Sequence, residues 1–116
     1  MCSFRSIQGV THLSGARHRI IPDRIETGTY AMAVAMAGGD VMLEGARPEF
    51  LQAAVDMLAQ TGTDITATET GIRVKRNGHS IDPVDVRTAP FPAFPTDLQA
   101  QFMGLMTKAK IGRAHV

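Results

Sequence analysis

The sequence predicts an α/β fold in the order β-α-β-α-β-β, followed by a second β-α start. Three observations carry this. Two apolar segments of helical character, at 23–37 and 48–61, each stop at glycine. An alternating pair, TDITATETG and IRVKRNG, reads as a hairpin turning at Gly71. Beyond it a strand-like stretch, a proline and a polar cap appear again, as they do before the first helix. The chain is therefore expected to hold about one and a half modules of one kind.

Taken in order, IQGVTHLSGARHRIIPD alternates weakly and contains two glycines, which predicts short strands joined by turns. Asp23 is an N-cap with Glu26 three residues on. Ile25, Tyr30, Met32, Val34 and Met36 then continue an apolar run as far as Gly38 and Gly39. The run has almost no polar face, so this helix is expected to be buried on most sides. DVMLEGA is a short strand. In PEFLQAAVDMLAQTG, Phe50, Leu51, Ala54, Val55 and Leu58 share one helical face, and Gly62 ends it. After the hairpin and the Asn77-Gly78 turn, Asp85-Val86-Arg87-Thr88 is a further strand candidate.

The stretch APFPAFPTDLQAQF comes next. Pro90, Pro92 and Pro95 fix their own φ and favour extended geometry before them, so the approach is rigid and non-helical. Thr96 is an expected N-cap, and Gln99 completes a Thr-x-x-Gln capping box for a third helix that runs to about Lys110. Asp97 then falls in the first turn, where free N–H groups and the helix dipole favour an anion. Asp97 is either a helix-start residue or a carboxylate aimed at a ligand, and these residues alone leave both open.

Totals narrow the function classes. The 116 residues are 44% hydrophobic and 20% charged with a net charge of +1, as for one soluble globular unit. Basic residues form no block, and five Phe, one Tyr and no Trp give little for bases to stack on, which argues against nucleic acid. No apolar run approaches about 18 residues, so no membrane span is expected. MCSFRS lacks the apolar stretch of a secretion signal, and the single cysteine, Cys2, fits a reducing compartment; a cytoplasmic location is expected. His12, His18, His79 and His115 show no ligand spacing, so neither a metal nor another cofactor is expected. Gly38 and Gly39 lack a phosphate-loop context, and most of the seven methionines fall at helix positions that suit a core.

GVTHLSGARHRIIPDRIETGTYAMAVAMAGG together with VDVRTAPFPAFPTDLQAQF resembles the UDP-N-acetylglucosamine enolpyruvyl transferases over roughly residues 7–110. The strings IPDRIETGT and PFPAFPTDLQAQF anchor the likeness. The related enolpyruvyl transferase of the shikimate pathway shares the fold, but is not expected to hold both strings in this form. The resemblance implies inside-out α/β domains, each of three β-α-β-α-β-β units with helices inside and sheets outside. Residues 7–80 would be one unit and 81–110 the start of the next. It also implies transfer of the enolpyruvyl group of phosphoenolpyruvate to the 3-hydroxyl of UDP-N-acetylglucosamine, the first committed step of peptidoglycan synthesis. The family reaction is an addition followed by an elimination, through a tetrahedral intermediate. An alcohol needs a positioned base, and the family's aspartate in that role matches Asp97. Asp23 matches an aspartate near the substrates, though a plain N-cap explains it equally. Arg24 suits anionic ligands or an ion pair, and Thr96 suits the sugar or the cap.

Other parts of the family site have no counterpart in this chain. These are a Lys-Asn pair, a mobile loop with a Cys or Asp, and further arginines for phosphoenolpyruvate; Cys2 sits in unrelated context. The missing remainder of the same chain is thus an expected partner, and the fragment alone is expected to be inactive and marginally folded. Neither MCSFRS nor IGRAHV continues the family pattern. IGRAHV is also the translation of ATC GGA AGA GCA CAC GTC, the start of a common sequencing adapter. Residues 1–6 and 111–116 are accordingly expected to be non-native ends. The alternative is a stand-alone repeat module that binds a partner and performs no chemistry.

Overall fold

A computed structural model of the chain describes residues 4–78 and 80–109. Cys2, His79, His115 and the segment from Lys110 onward lie outside the described residues.

Six regular elements carry the fold: α1 (Arg24–Ala37), β1 (Gly39–Glu44), α2 (Gln52–Gln60), β2 (Asp64–Ala67), β3 (Gly71–Arg76) and α3 (Gln99–Met106). Short 3-10 turns at Pro48–Phe50 and Thr96–Leu98 lead into α2 and α3. The strands form one antiparallel sheet in the order β1-β3-β2. The α/β class therefore stands.

Alternation along β3 sorts the sheet into two faces. Ile72 and Val74 are buried, and across the ladder they meet Leu43 and Val41 of β1 and Ala67 and Ile65 of β2. The other face is charged. Arg73 donates through Nε to Asp40 Oδ1 at 2.8 Å and through a second nitrogen to Asp40 Oδ2. The Arg73 hydrogen bond holds the Asp40 carboxyl below its ordinary value.

α1 begins as its sequence predicts. The Asp23 carboxylate accepts the backbone N–H of Ile25 at 2.9 Å and of Glu26 at 3.3 Å. It ends at Gly38, whose φ of 86° suits glycine and whose N–H reaches Val34 O at 2.8 Å. Gly28, Ala31, Met32, Val34 and Ala35 face the core. Ten of its fourteen residues are buried or half-buried, while Glu26, Tyr30, Ala33 and Ala37 make an exposed stripe, with Tyr30 58% accessible, where no described element covers the helix.

α2 turns Ala54, Met57 and Leu58 inward, with Leu51 buried just before it. α3 lies against α1. Leu98, Phe102, Leu105 and Met106 complete the core, and Leu98 sits so close to Gly28 that a Cβ there would stand 2.8 Å from its Cδ1.

Three expectations are corrected. The strands predicted in IQGVTHLSGARHRIIPD do not form; residues 4–21 are all exposed, with no ladder partner among the described residues to satisfy their backbone groups. Asp85–Thr88 is not a strand either. Thr88 makes only an isolated bridge to Phe94, so this part of the chain closes a loop instead of extending the sheet. The third helix ends at Met106, where the N–H of Thr107 turns back to Met103 O and Gly104 O and its hydroxyl to Gly104 O at 2.6 Å. No described helix is long and apolar enough to cross a membrane.

Candidate active site

The proline-rich loop is locked at both ends. Ala89 N–H donates to Phe94 O at 3.0 Å beside the Thr88–Phe94 bridge, and Ala93 N–H donates to Pro90 O at 3.1 Å around a cis Phe91-Pro92 bond. Phe94 is buried and meets Phe102 edge-on, with centroids 5.8 Å apart. Phe91, three residues earlier, stays 55% accessible. The loop thus drives one ring into the core and holds the other outside it.

That outer ring lies beside the N-terminus of α1. The Arg24 guanidinium carbon is 5.3 Å from the Phe91 centroid, within cation–π range. Arg24, Phe91, Thr88, Pro95, Thr96 and Asp97 line one cleft of about 400 Å³. Three of the four candidate residues, Arg24, Thr96 and Asp97, are therefore brought together from chain segments some seventy positions apart. Asp23 is not among the residues lining that cleft. It lines a neighbouring groove with Ile21, Pro22, Ile25 and Phe50, which shares Arg24 and Phe91 with the first.

The expected capping box does not form. Pro95 occupies the N-cap position with an extended backbone and offers no side-chain cap, while Thr96 is already inside the 3-10 turn. The carbonyl of Thr96 accepts the Gln99 N–H, and its hydroxyl caps nothing. A proline at the N-cap moves the turn one residue earlier than Thr-x-x-Gln predicts. Gln99 is consequently not a capping partner. The polar link between the helices is Gln101, two residues on, whose Nε2 donates to Thr29 Oγ1 at 2.9 Å and ties α3 to α1.

Asp97 is exposed, and among the described residues its carboxylate makes no hydrogen bond or ion pair. Asp23, by contrast, is occupied by two backbone donors. The cleft therefore offers a carboxylate able to accept a proton from a hydroxyl, and a cation able to attract an anion. Sequence reasoning did not single out Phe91, because its partner Arg24 is distant in the chain.

Comparison with known proteins gives a family. The EPSP synthase (3-phosphoshikimate 1-carboxyvinyltransferase) family model matches residues 4–115. A UDP-N-acetylglucosamine 1-carboxyvinyltransferase of Mesorhizobium japonicum is 77% identical over 105 residues, covering 90% of this chain and 24% of that protein. One from a Chelativorans species is 72% identical over the same shares of the two chains. One from Rhodopseudomonas palustris is 67% identical over 111 residues, covering 96% of this chain and 26% of that protein. The chain spans about a quarter of the length of these curated relatives. With the family model matching nearly all of it, the chain belongs to the EPSP synthase (3-phosphoshikimate 1-carboxyvinyltransferase) family.

Proposed function

We propose that this chain forms part of the wall of an active site that transfers the enolpyruvyl group of phosphoenolpyruvate to the 3-hydroxyl of UDP-N-acetylglucosamine, with Asp97 as the general base. The observation that carries the reading is the Asp97 carboxylate, which is exposed, without an intramolecular partner among the described residues, and in one cleft with Arg24. The names of the relatives supply the acceptor, UDP-N-acetylglucosamine, and the carboxyvinyl group transferred; phosphoenolpyruvate as its donor comes from the family resemblance. The product enters peptidoglycan synthesis in the cytoplasm.

In this reading the sugar oxygen bonds to C2 of phosphoenolpyruvate as its proton passes to Asp97. C3 takes up a proton from a donor elsewhere in the parent protein. Loss of a C3 proton and departure of phosphate then restore the double bond. Arg24 attracts anionic substrate, Thr96 lines the sugar side, and Asp23 holds the start of α1 beside them. Residues 7–80 correspond to one β-α-β-α-β-β unit whose opening strand, not formed in this chain, pairs in the complete parent domain, and 81–110 begin the next unit of that inside-out domain. The docking of α3 on α1 through Leu98–Gly28 and Gln101–Thr29 supports that continuity.

The decisive variant is Asp97→Asn in the full-length parent. An amide keeps the shape but cannot take the proton, and losing a general base costs about 10²–10⁴-fold in turnover. The expected result is a kcat reduced by that factor with UDP-N-acetylglucosamine still bound, measured by phosphate release and calorimetry. Near-normal turnover would reduce Asp97 to a binding residue. The 116-residue chain alone is expected to release no phosphate from the two substrates.

A further inference from the structure

Arg24 stands in an unfavourable place for a cation. It is the first residue of α1, where the helix dipole presents its positive end. Placing a guanidinium there needs an offsetting contact, and the nearest structural answer is the exposed face of Phe91, 5.3 Å away. The loop that bears Phe91 is stiffened by Pro90, Pro92 and Pro95, closed by the Thr88–Phe94 bridge and anchored by the buried Phe94. A ring left 55% accessible on so constrained a loop contributes little to the core. It does limit where the flexible arginine can point. Both clefts lined by Arg24 are also lined by Phe91, so the ring sits where the two meet.

We propose that Phe91 is a positioning residue that acts through Arg24, holding its guanidinium in the Asp97 cleft ready for an anionic substrate. This rests on the enolpyruvyl-transfer reading of the cleft. Phe91 itself bonds to no reacting atom. Its effect is to remove conformations of Arg24 that ligand binding would otherwise have to select against.

The test uses the full-length parent with Phe91→Leu, Phe91→Tyr, Arg24→Gln and the Phe91→Leu/Arg24→Gln pair. Leucine keeps apolar bulk but has no π face; tyrosine keeps the face. An exposed cation–π contact corresponds to a roughly 2- to 5-fold effect on an equilibrium. Phe91→Leu is expected to raise KM for at least one of the two anionic substrates by that factor, with kcat within about twofold. Phe91→Tyr should restore the parental KM. In the Arg24→Gln background Phe91→Leu should add nothing, and the same non-additivity should appear in calorimetric binding of UDP-N-acetylglucosamine or of phosphoenolpyruvate. The idea is overturned if leucine matches the parent, if tyrosine fails to rescue, or if the two changes are additive. Asp97→Asn separates this outcome from the parent reading. A strong loss of kcat there without Phe91–Arg24 coupling sinks the positioning role alone. Coupling without that loss leaves the positioning role standing and removes Asp97 as base.

Discussion

The starts of α1 and α3 look alike in sequence and differ in what their carboxylates do. Each follows a proline, with Pro22-Asp23-Arg24 in one and Pro95-Thr96-Asp97 in the other. At α1 the extended residue is Asp23 itself, with φ −69° and ψ 111°, so its side chain folds over two free N–H groups. At α3 the extended residue is Pro95, with φ −77° and ψ 147°, and the chain enters its turn one residue earlier. Thr96 is then too far along to cap, and Asp97 projects with its carboxylate free of intramolecular hydrogen bonds among the described residues. A one-residue shift in where the turn begins thus separates a structural carboxylate from one available for chemistry.

The strongest way to break this comparison is to separate the two starts. Leu98 is fully buried against Gly28, and it is what seats the second start on the first. Leu98→Ala in the full-length parent is expected to cost about 2–5 kcal/mol, read as a shift of the denaturant midpoint. Activity should fall with it, since Arg24 and Asp97 would no longer share a fixed cleft. A stable Leu98→Ala protein with normal turnover would mean that other parts of the parent set the spacing.

Asp23 gives the next largest effect. Removing an N-cap aspartate costs about 0.5–2 kcal/mol, while asparagine caps about as well. Asp23→Ala should therefore lower stability by that amount, and Asp23→Asn should leave it nearly unchanged. If Asp23→Asn left stability intact yet cut turnover a hundredfold, the charge of Asp23 would be part of the chemistry, and the contrast with Asp97 would collapse.

The fold was legible wherever local chemistry decided the outcome. Asp23 and Gly38 mark the two ends of α1, and the alternation in GIRVKR marks a strand with one buried face. The errors fall where the answer depends on distant partners. Ile7, Val10 and Leu13 lie in the stretch expected to form short strands, but a strand needs a neighbour, and they remain exposed. The apolar run of α1 suggested burial on most sides, and it could not say which side stays open: Tyr30 and Ala33 face outward with no described element over them. At the site, Asp97, Thr96, Asp23 and Arg24 could be singled out from the sequence with the help of a family resemblance. That Arg24 leans on Phe91 could not, because the contact joins segments far apart in the chain.

Acid titration sharpens the same distinction between engaged and available carboxylates. Asp40 is bonded to Arg73, and its carboxyl titrates below the ordinary value of 3.8. A depressed folded pKa contributes stability above the unfolded value, and that contribution is lost as pH falls through the folded one. Asp40→Asn should therefore lower the midpoint slightly at neutral pH and make no difference well below the ordinary carboxylate range. Both groups are exposed, so added salt should shrink even the neutral-pH effect. A salt-independent difference would indicate a role beyond the ion pair.

The smallest expected effect falls on Thr96, and it is the most direct test of where the second turn begins. A threonine whose hydroxyl truly capped α3 would cost about 0.5–2 kcal/mol on conversion to alanine. Thr96 instead lies inside the 3-10 turn, contributes only its carbonyl to Gln99 and is exposed. Alanine retains that carbonyl and favours the turn at least as well. Thr96→Ala in the full-length parent should thus change stability by less than about 0.5 kcal/mol, as for surface positions without special contacts. Its signature should lie elsewhere, in a modest rise of KM for the sugar nucleotide if the hydroxyl lines the sugar side of the cleft. A stability loss comparable with that of Asp23→Ala would show that the Thr-x-x-Gln box does form in solution. Asp97 would then stand one position nearer the start of its helix, directly after the cap as Arg24 does after Asp23, and the two starts would be alike after all.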